Sequence, residues 1–326
     1  MFQKFTNWFS PKPEPVPDIK VQQAQVAGKR PVPKPKPESV SEKDKALLCQ
    51  QLAQWYVRKD NKFLLVDRPD NTISRADIER ASLLRIKKDH PTIALSPELL
   101  KEVFQHAIEA KHSDATQSIQ VWNGHFSCRP NIAERLIPED GFVTINSWRT
   151  PTYRTLGETA ADCSLIDDFM AAAFPHPQDA VVAKNWLAWC LQNESKKPGW
   201  ALFLYSRKKG TGKSTFCQFA SRLFGERNAF TQNSVEKLVS KFNMPILQSK
   251  LIISEELMLK TGSTQGNTLK TYITEEQTAS EIKGREVQPV RQCCCFLFTS
   301  NHMPIWIESD DRCYYIIDVD HQGHAS

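Results

Sequence analysis

The chain has 326 residues, a hydrophobic content of 40% and a formal net charge of +5. That length admits one large domain or two ordinary ones, and that apolar share excludes a wholly disordered chain. The small basic excess permits contact with nucleic acid without requiring it, and no run of residues reaches membrane-spanning length. Nine cysteines in no paired pattern, without a signal peptide, argue against a disulfide scaffold and for a reducing cytoplasm.

Residues 1–44 are expected to form a disordered tether. Phe2, Phe5, Trp8 and Phe9 recur at about helical spacing, which fits a frayed end or a short peptide that docks on a partner. From Pro11 to Pro37 prolines alternate with Lys, Glu and Val, a composition that favours an extended, solvated backbone. Residues 45–160 read as a small mixed α/β unit. Ala46–Val57 has a helical apolar pattern, Lys62–Val66 suits a strand, and Asn71 marks a turn. Ser74 caps a helix through about Leu84, with Asp77 three residues on. Ser96 opens another, whose apolar face holds Leu99, Leu100, Val103, Phe104 and Ala107. Val121–Phe126 and Gly141–Asn146 read as short strands. His125 and Cys128 make a lone ligand-like pair with no second pair at zinc spacing, so no metal centre is expected there. Residues 161–198 read as a helical connector, patterned from Cys163 to Asn193 and ended by Lys196-Lys197-Pro198-Gly199.

Residues 199–326 carry the chemistry. Trp200–Tyr205 is a continuous apolar run, as in a strand buried on both faces. It leads into Gly210-Thr211-Gly212-Lys213-Ser214-Thr215 and then a helix bearing Phe216, Phe219, Ala220 and Leu223, with Gly225 past its end. Strand, glycine loop, Lys-Ser and helix make a phosphate cradle. Backbone N–H groups converge on one phosphate, Lys213 neutralises the outer oxygens, Ser214 is placed to ligate Mg²⁺, and Thr215 supports the loop. The full pattern asks for glycine at position 207, where this chain has Arg207.

Three further stretches would complete such a site. Ser249–Glu256 reads as an apolar strand on a sheet neighbour that ends in two carboxylates, delivering Glu255 to a metal and Glu256 to an attacking water. Cys293–Asn301 is a third strand; Asn301 at its end either holds that water or is a turn residue ahead of Pro304. Arg312, before the strand Cys313–Val319, either stabilises a transferring phosphoryl group or pairs locally with Asp310 or Asp311. Lys283-Gly284-Arg285 makes a basic hairpin tip, suited to a phosphate backbone or simply solvated.

The order Lys213, Glu255-Glu256, Lys283-Gly284-Arg285, Asn301, Arg312 resembles the core of superfamily 3 helicases, above all the helicase domains of phage primase–polymerase proteins. Trp55–Arg58, Ile73-Ser74, Val121–Asn123 and Ile145–Trp148 resemble the segment that precedes the P-loop there, so the likeness runs over roughly residues 50–320. The resemblance implies an AAA-like P-loop ATPase with a five-stranded parallel sheet, using ATP and Mg²⁺ for DNA replication. It implies a homo-hexamer with Lys213, Ser214, Glu255, Glu256 and Asn301 acting from one subunit and Arg312 reaching the next. Lys283 and Arg285 would then line a channel for single-stranded DNA, and a primase, polymerase or initiator would be the partner. No acidic pair of primase type precedes Trp200, and the chain ends soon after Arg312, which sets it apart from the family pattern. An ATP-switched interaction protein and a DNA-binding initiator are the rival classes.

Overall fold

The computed structural model describes residues 41–109, 114–156, 162–239, 244–280, 288–304, 306–308 and 310–320. The docking peptide, the expected tether as far as residue 40 and the Lys283–Arg285 tip lie outside them; residues 41–44, read as the end of the tether, are instead the cap and first turn of a helix, because Ser41 takes up the Asp44 N–H.

Helix α1 (Glu42–Trp55) opens on Ser41, whose side chain accepts from the Asp44 backbone N–H, and buries Leu48, Cys49, Leu52 and Trp55. An antiparallel meander follows, of β1 (Tyr56–Lys59), β2 (Lys62–Leu65) and β3 (Arg68–Ile73). Asp60 and Asn61 both take positive φ at its first turn, the geometry that a two-residue hairpin loop requires. Asn71 is not at a turn: Thr72 and Ile73 pair with Leu64 and Phe63, which draws it into β3, and the chain reverses at Val66–Asp67 instead. Helix α2 (Arg75–Asp89) begins on Ser74 as expected and outruns Leu84, because Ile86 extends the buried stripe and Lys87 and Lys88 suit the last turn. Helix α3 (Pro97–Glu109) packs on α1 through Leu99, Val103, Phe104 and Ala107. The second small sheet, ordered β4-β6-β5, joins β4 (Trp122–Ser127), β5 (Leu136–Glu139) and β6 (Phe142–Asn146).

The connector is two helices, α4 (Ser164–Ala173) and α5 (Pro177–Gln192). Pro175 disfavours helical geometry at Phe174, which turns extended, and Pro177 then starts the new helix at the position proline tolerates best. Leu165 on α4 and Val181 on α5 are exposed.

The remaining strands form one parallel sheet ordered β13-β7-β12-β9-β8: β7 (Ala201–Tyr205), β8 (Ala229–Thr231), β9 (Leu251–Ser254), β12 (Cys295–Ser300) and β13 (Tyr314–Asp318). Helices α6 (Lys213–Phe224), α7 (Val235–Leu238), α8 (Met244–Gln248) and α9 (Thr264–Thr274) complete this region, with the hairpin β10 (Gln277–Ser280) and β11 (Gln288–Arg291). The alternation of side chains along each strand divides the core. Leu202, Leu204, Leu251, Ile253, Leu297 and Ile317 face α4, α5 and α6. Phe203, Ile252, Phe296, Phe298 and Tyr314 face α7, α9 and Trp306. Every residue of β7, β9 and β12 is buried, and each large apolar side chain among them contributes about 1.5–3 kcal/mol.

At the sheet edge where the strands begin, Lys250 is fully buried and its ammonium donates to the carbonyls of Lys196 (2.6 Å), Cys293 (3.1 Å) and Asn193 (3.4 Å). The segment before the connector is tied to the same sheet. The Cys128 N–H donates to the Leu247 carbonyl at 2.9 Å, and the Asn228 side chain accepts from the Arg149 N–H and donates to the Arg149 carbonyl.

Candidate functional site

In a parallel sheet all strands end at one edge, and here β7, β9 and β12 deliver their polar continuations to a single cavity of about 770 Å³. Gly210 and Gly212 have φ of +78° and +87°. A Cβ would meet nothing within 4 Å at either, so glycine is required by backbone conformation and not by space. Because α6 starts at Lys213, its first N–H groups have no acceptor within the helix and face the cavity with the positive end of the helix dipole. Arg207 does not disturb this turn. Its φ is not positive, its guanidinium donates to the Tyr205 hydroxyl at 3.1 Å, and it does not line the cavity.

Lys213 is 9% exposed, and its ammonium donates to the Lys208 carbonyl and the Thr211 hydroxyl, both at 3.3 Å. Burial pushes its pKa below the usual lysine range, opposed by the charge of Asp320. The Ser214 hydroxyl donates to Glu255 Oε2 at 2.6 Å, joining the start of α6 to the end of β9. Glu256 takes φ +60°, left-handed backbone that costs a non-glycine residue about 1–2 kcal/mol. The following N–H, of Leu257, is held at 2.8 Å by the Thr299 carbonyl, which fixes that turn against β12. Asn301 lines the same cavity, and its Oδ1 is buried with no hydrogen-bond partner. The sequence reading set the acid strand beside β7; in the sheet β12 lies between β7 and β9, so the strand that ends at Asn301 is the one beside the glycine-loop strand.

Arg312 is elsewhere. Tyr314 pairs with Ala201 at the start of β13 and β7, so Arg312 lies at the edge of the sheet opposite Lys213. Among the described residues it makes no ion pair and is exposed, while Asp311 is held by Lys270 at 2.7 Å. The hairpin that would carry Lys283 and Arg285 has its stems in register, Ser280 opposite Gln288. Sequence reasoning did not find the cavity wall, Phe169 and Ala171–Ala173 of α4. Nothing in three successive alanines signals a site.

A family model, DUF5906, described as a family of unknown function, matches residues 204–313. The DNA primase-polymerase of Nitratiruptor phage NrS-1 is 30% identical over 139 residues, 41% of this chain and 19% of that protein. The chain thus spans about a fifth of that relative's length. Apo structures of the NrS-1 C-terminal region match with TM-scores of 0.53, 0.54 and 0.56 at 17–18% identity, covering 81–85% of this chain and 56–62% of those. The chain is therefore related to a phage primase-polymerase over part of its sequence, and shares the fold of that protein's C-terminal region over most of its length.

Proposed function

We propose that this chain is the motor subunit of a DNA replication helicase of the superfamily 3 type, hydrolysing ATP with Mg²⁺ to move single-stranded DNA. The observation that carries the reading is the Ser214–Glu255 contact at 2.6 Å at the mouth of a glycine loop, with Glu256 and Asn301 on the same cavity. A hydroxyl and a carboxylate so placed suit a hard divalent cation, and the unpartnered Asn301 amide oxygen suits a water or phosphate group yet to be bound. Relatedness to a phage replication protein supports the DNA context.

In this reading the α6 N–H groups and Lys213 hold the phosphates, and Glu255 with Ser214 holds the metal. When bound, Mg²⁺ would neutralise phosphate charge and orient the triphosphate. Glu256 orients or deprotonates the attacking water, and Asn301, lining the same cavity, holds it. Arg312 lies too far across the sheet to serve its own chain's site, which favours action on the next subunit of a ring, a hexamer in the proposed assembly. Lys283 and Arg285 draw the strand through the channel.

The test is steady-state ATP hydrolysis with and without single-stranded DNA. Turnover stimulated by DNA and lost in Lys213→Ala and Glu256→Gln is expected, with Lys283→Ala/Arg285→Ala losing the stimulation and strand displacement. Nucleotide binding without turnover under any nucleic-acid condition would return the chain to an ATP-switched interaction protein.

A further inference from the structure

Far from the glycine loop, a second cavity of about 780 Å³ opens between the β2–β3 turn, the β4–β6 sheet and the edge strand β8. Arg68, Arg85, Arg135, Arg149 and Arg227 line it, against a single carboxylate among its lining residues, Asp67. Asp67 pairs with Arg149 and, at 3.7 Å, with Arg135, so one negative charge is shared between two guanidinium groups. Arg85 is occupied, stacked 4.1 Å from the centroid of the Trp55 ring and 3.5 Å from Asp89. Among the described residues Arg68 and Arg227 make no ion pair, and both are exposed. Burial, with Arg149 and Arg227 nearby and Asp67 opposing, lowers the Arg135 pKa to about 10, and its Nε is buried without a partner.

A protein gains nothing in stability by gathering uncompensated guanidinium groups, and like charges at close range repel. The cluster is also held in place. Asn228 grips the backbone of Arg149 in both directions, and Arg227 is its immediate neighbour in sequence. Those bonds hold the backbone that carries two of the arginines, and planar guanidinium forks match phosphate oxygens. The wall adds two aromatic rings, Phe126 and Phe230. Phe230 is 37% exposed on the edge strand β8 and lines the cavity. Cations that follow a backbone, beside ring faces that take bases, are the two elements of single-strand recognition.

We propose that this cleft binds single-stranded nucleic acid, with Arg68, Arg135, Arg149 and Arg227 on successive phosphates and Phe230 stacked on a base. It shares no lining residue with the β10–β11 hairpin and is formed by the segment before the glycine loop together with β8 and the lead-in to β9. The choice of nucleic acid as the anion rests on the proposed replication role. The binding itself needs no hydrolysis, so it is measured without nucleotide, and a failed motor with intact binding is distinguishable from a failed cleft.

The experiment is fluorescence anisotropy of a labelled twenty-nucleotide oligothymidylate across a salt series. Arg68→Gln/Arg227→Gln is expected to weaken binding and to flatten the slope of log affinity against log salt by about 1.4, since each phosphate contact on a single strand contributes about 0.7. Phe230→Ala is expected to weaken binding about tenfold or more with the slope unchanged, because stacking releases no counterions. Parent affinity and slope in the double variant, at the parent's melting temperature, overturn the proposal. Should that variant fail to fold, hydrogen exchange of the unsubstituted protein decides instead. Slower exchange at 66–69 and 227–231 on adding the oligonucleotide is expected, and no change there overturns the proposal. An equal displacement of oligonucleotide by free nucleoside monophosphate at matched phosphate concentration also overturns it, since a strand then has no advantage over a lone phosphate.

Discussion

Asn301 is the residue at which the two readings of the sequence part most sharply. A turn amide ahead of Pro304 would be expected to satisfy its own hydrogen bonds, yet its Oδ1 is buried and unpartnered. Leaving such a group unsatisfied costs about 1–3 kcal/mol, a cost that makes sense where a ligand completes it. Asn301→Ala should therefore melt no lower than the parent while losing at least tenfold in ATP turnover. A lower melting temperature with unaltered turnover would make it a turn residue after all. Glu256 tells a similar story through its backbone, since a strained φ held by the Leu257–Thr299 hydrogen bond aims the side chain at the cavity.

At the scale of elements, the lead-in to β13 is anchored from α9. Lys270 grips Asp311, whose side chain is only 3% exposed and which also accepts from the Cys313 N–H at 2.8 Å. Burial alone would raise the Asp311 pKa, but the hydrogen bond and charge of Lys270 outweigh it and hold the carboxyl below its usual range. A depressed folded pKa means the stabilisation is full above the unfolded value, near 3.9, and is lost as pH falls through the lower folded value. Asp311→Asn should thus cost about 1.5 kcal/mol at neutral pH, near the low end for a charged hydrogen bond because Lys270 is partly exposed. Urea unfolding at pH 7 and again near pH 3 checks it: the gap between parent and variant should narrow on acidification, and a gap independent of pH would discard the ion pair. Arg312, the next residue, is exposed.

For the whole molecule, the placement of Arg312 and Lys213 at opposite sheet edges makes a prediction about assembly. Lys213→Ala and Arg312→Ala proteins should each be inert, but mixing them should restore part of the ATP turnover. If the proposed ring forms, a mixed one would contain interfaces in which an intact Lys213 meets a neighbour's intact Arg312. A mixture as inactive as its components would confine Arg312 to a structural role within its own subunit.

Local chemistry was enough to read the cap of α2, the apolar strands β7, β9 and β12, and the glycine loop, because propensity, side-chain period and backbone conformation act within a few residues. It was not enough for Asn71, whose strand state is imposed by pairing with β2, or for β8 and β5, short strands whose partners lie elsewhere in the chain. Nor could one sequence show that β12 separates β7 from β9, that Lys250 is capped by three distant carbonyls, or that arginines from positions 68 to 227 share one cleft. Strand order, buried charge and converging guanidinium groups are properties of residues far apart in the chain, and only tertiary packing brings them within interaction distance.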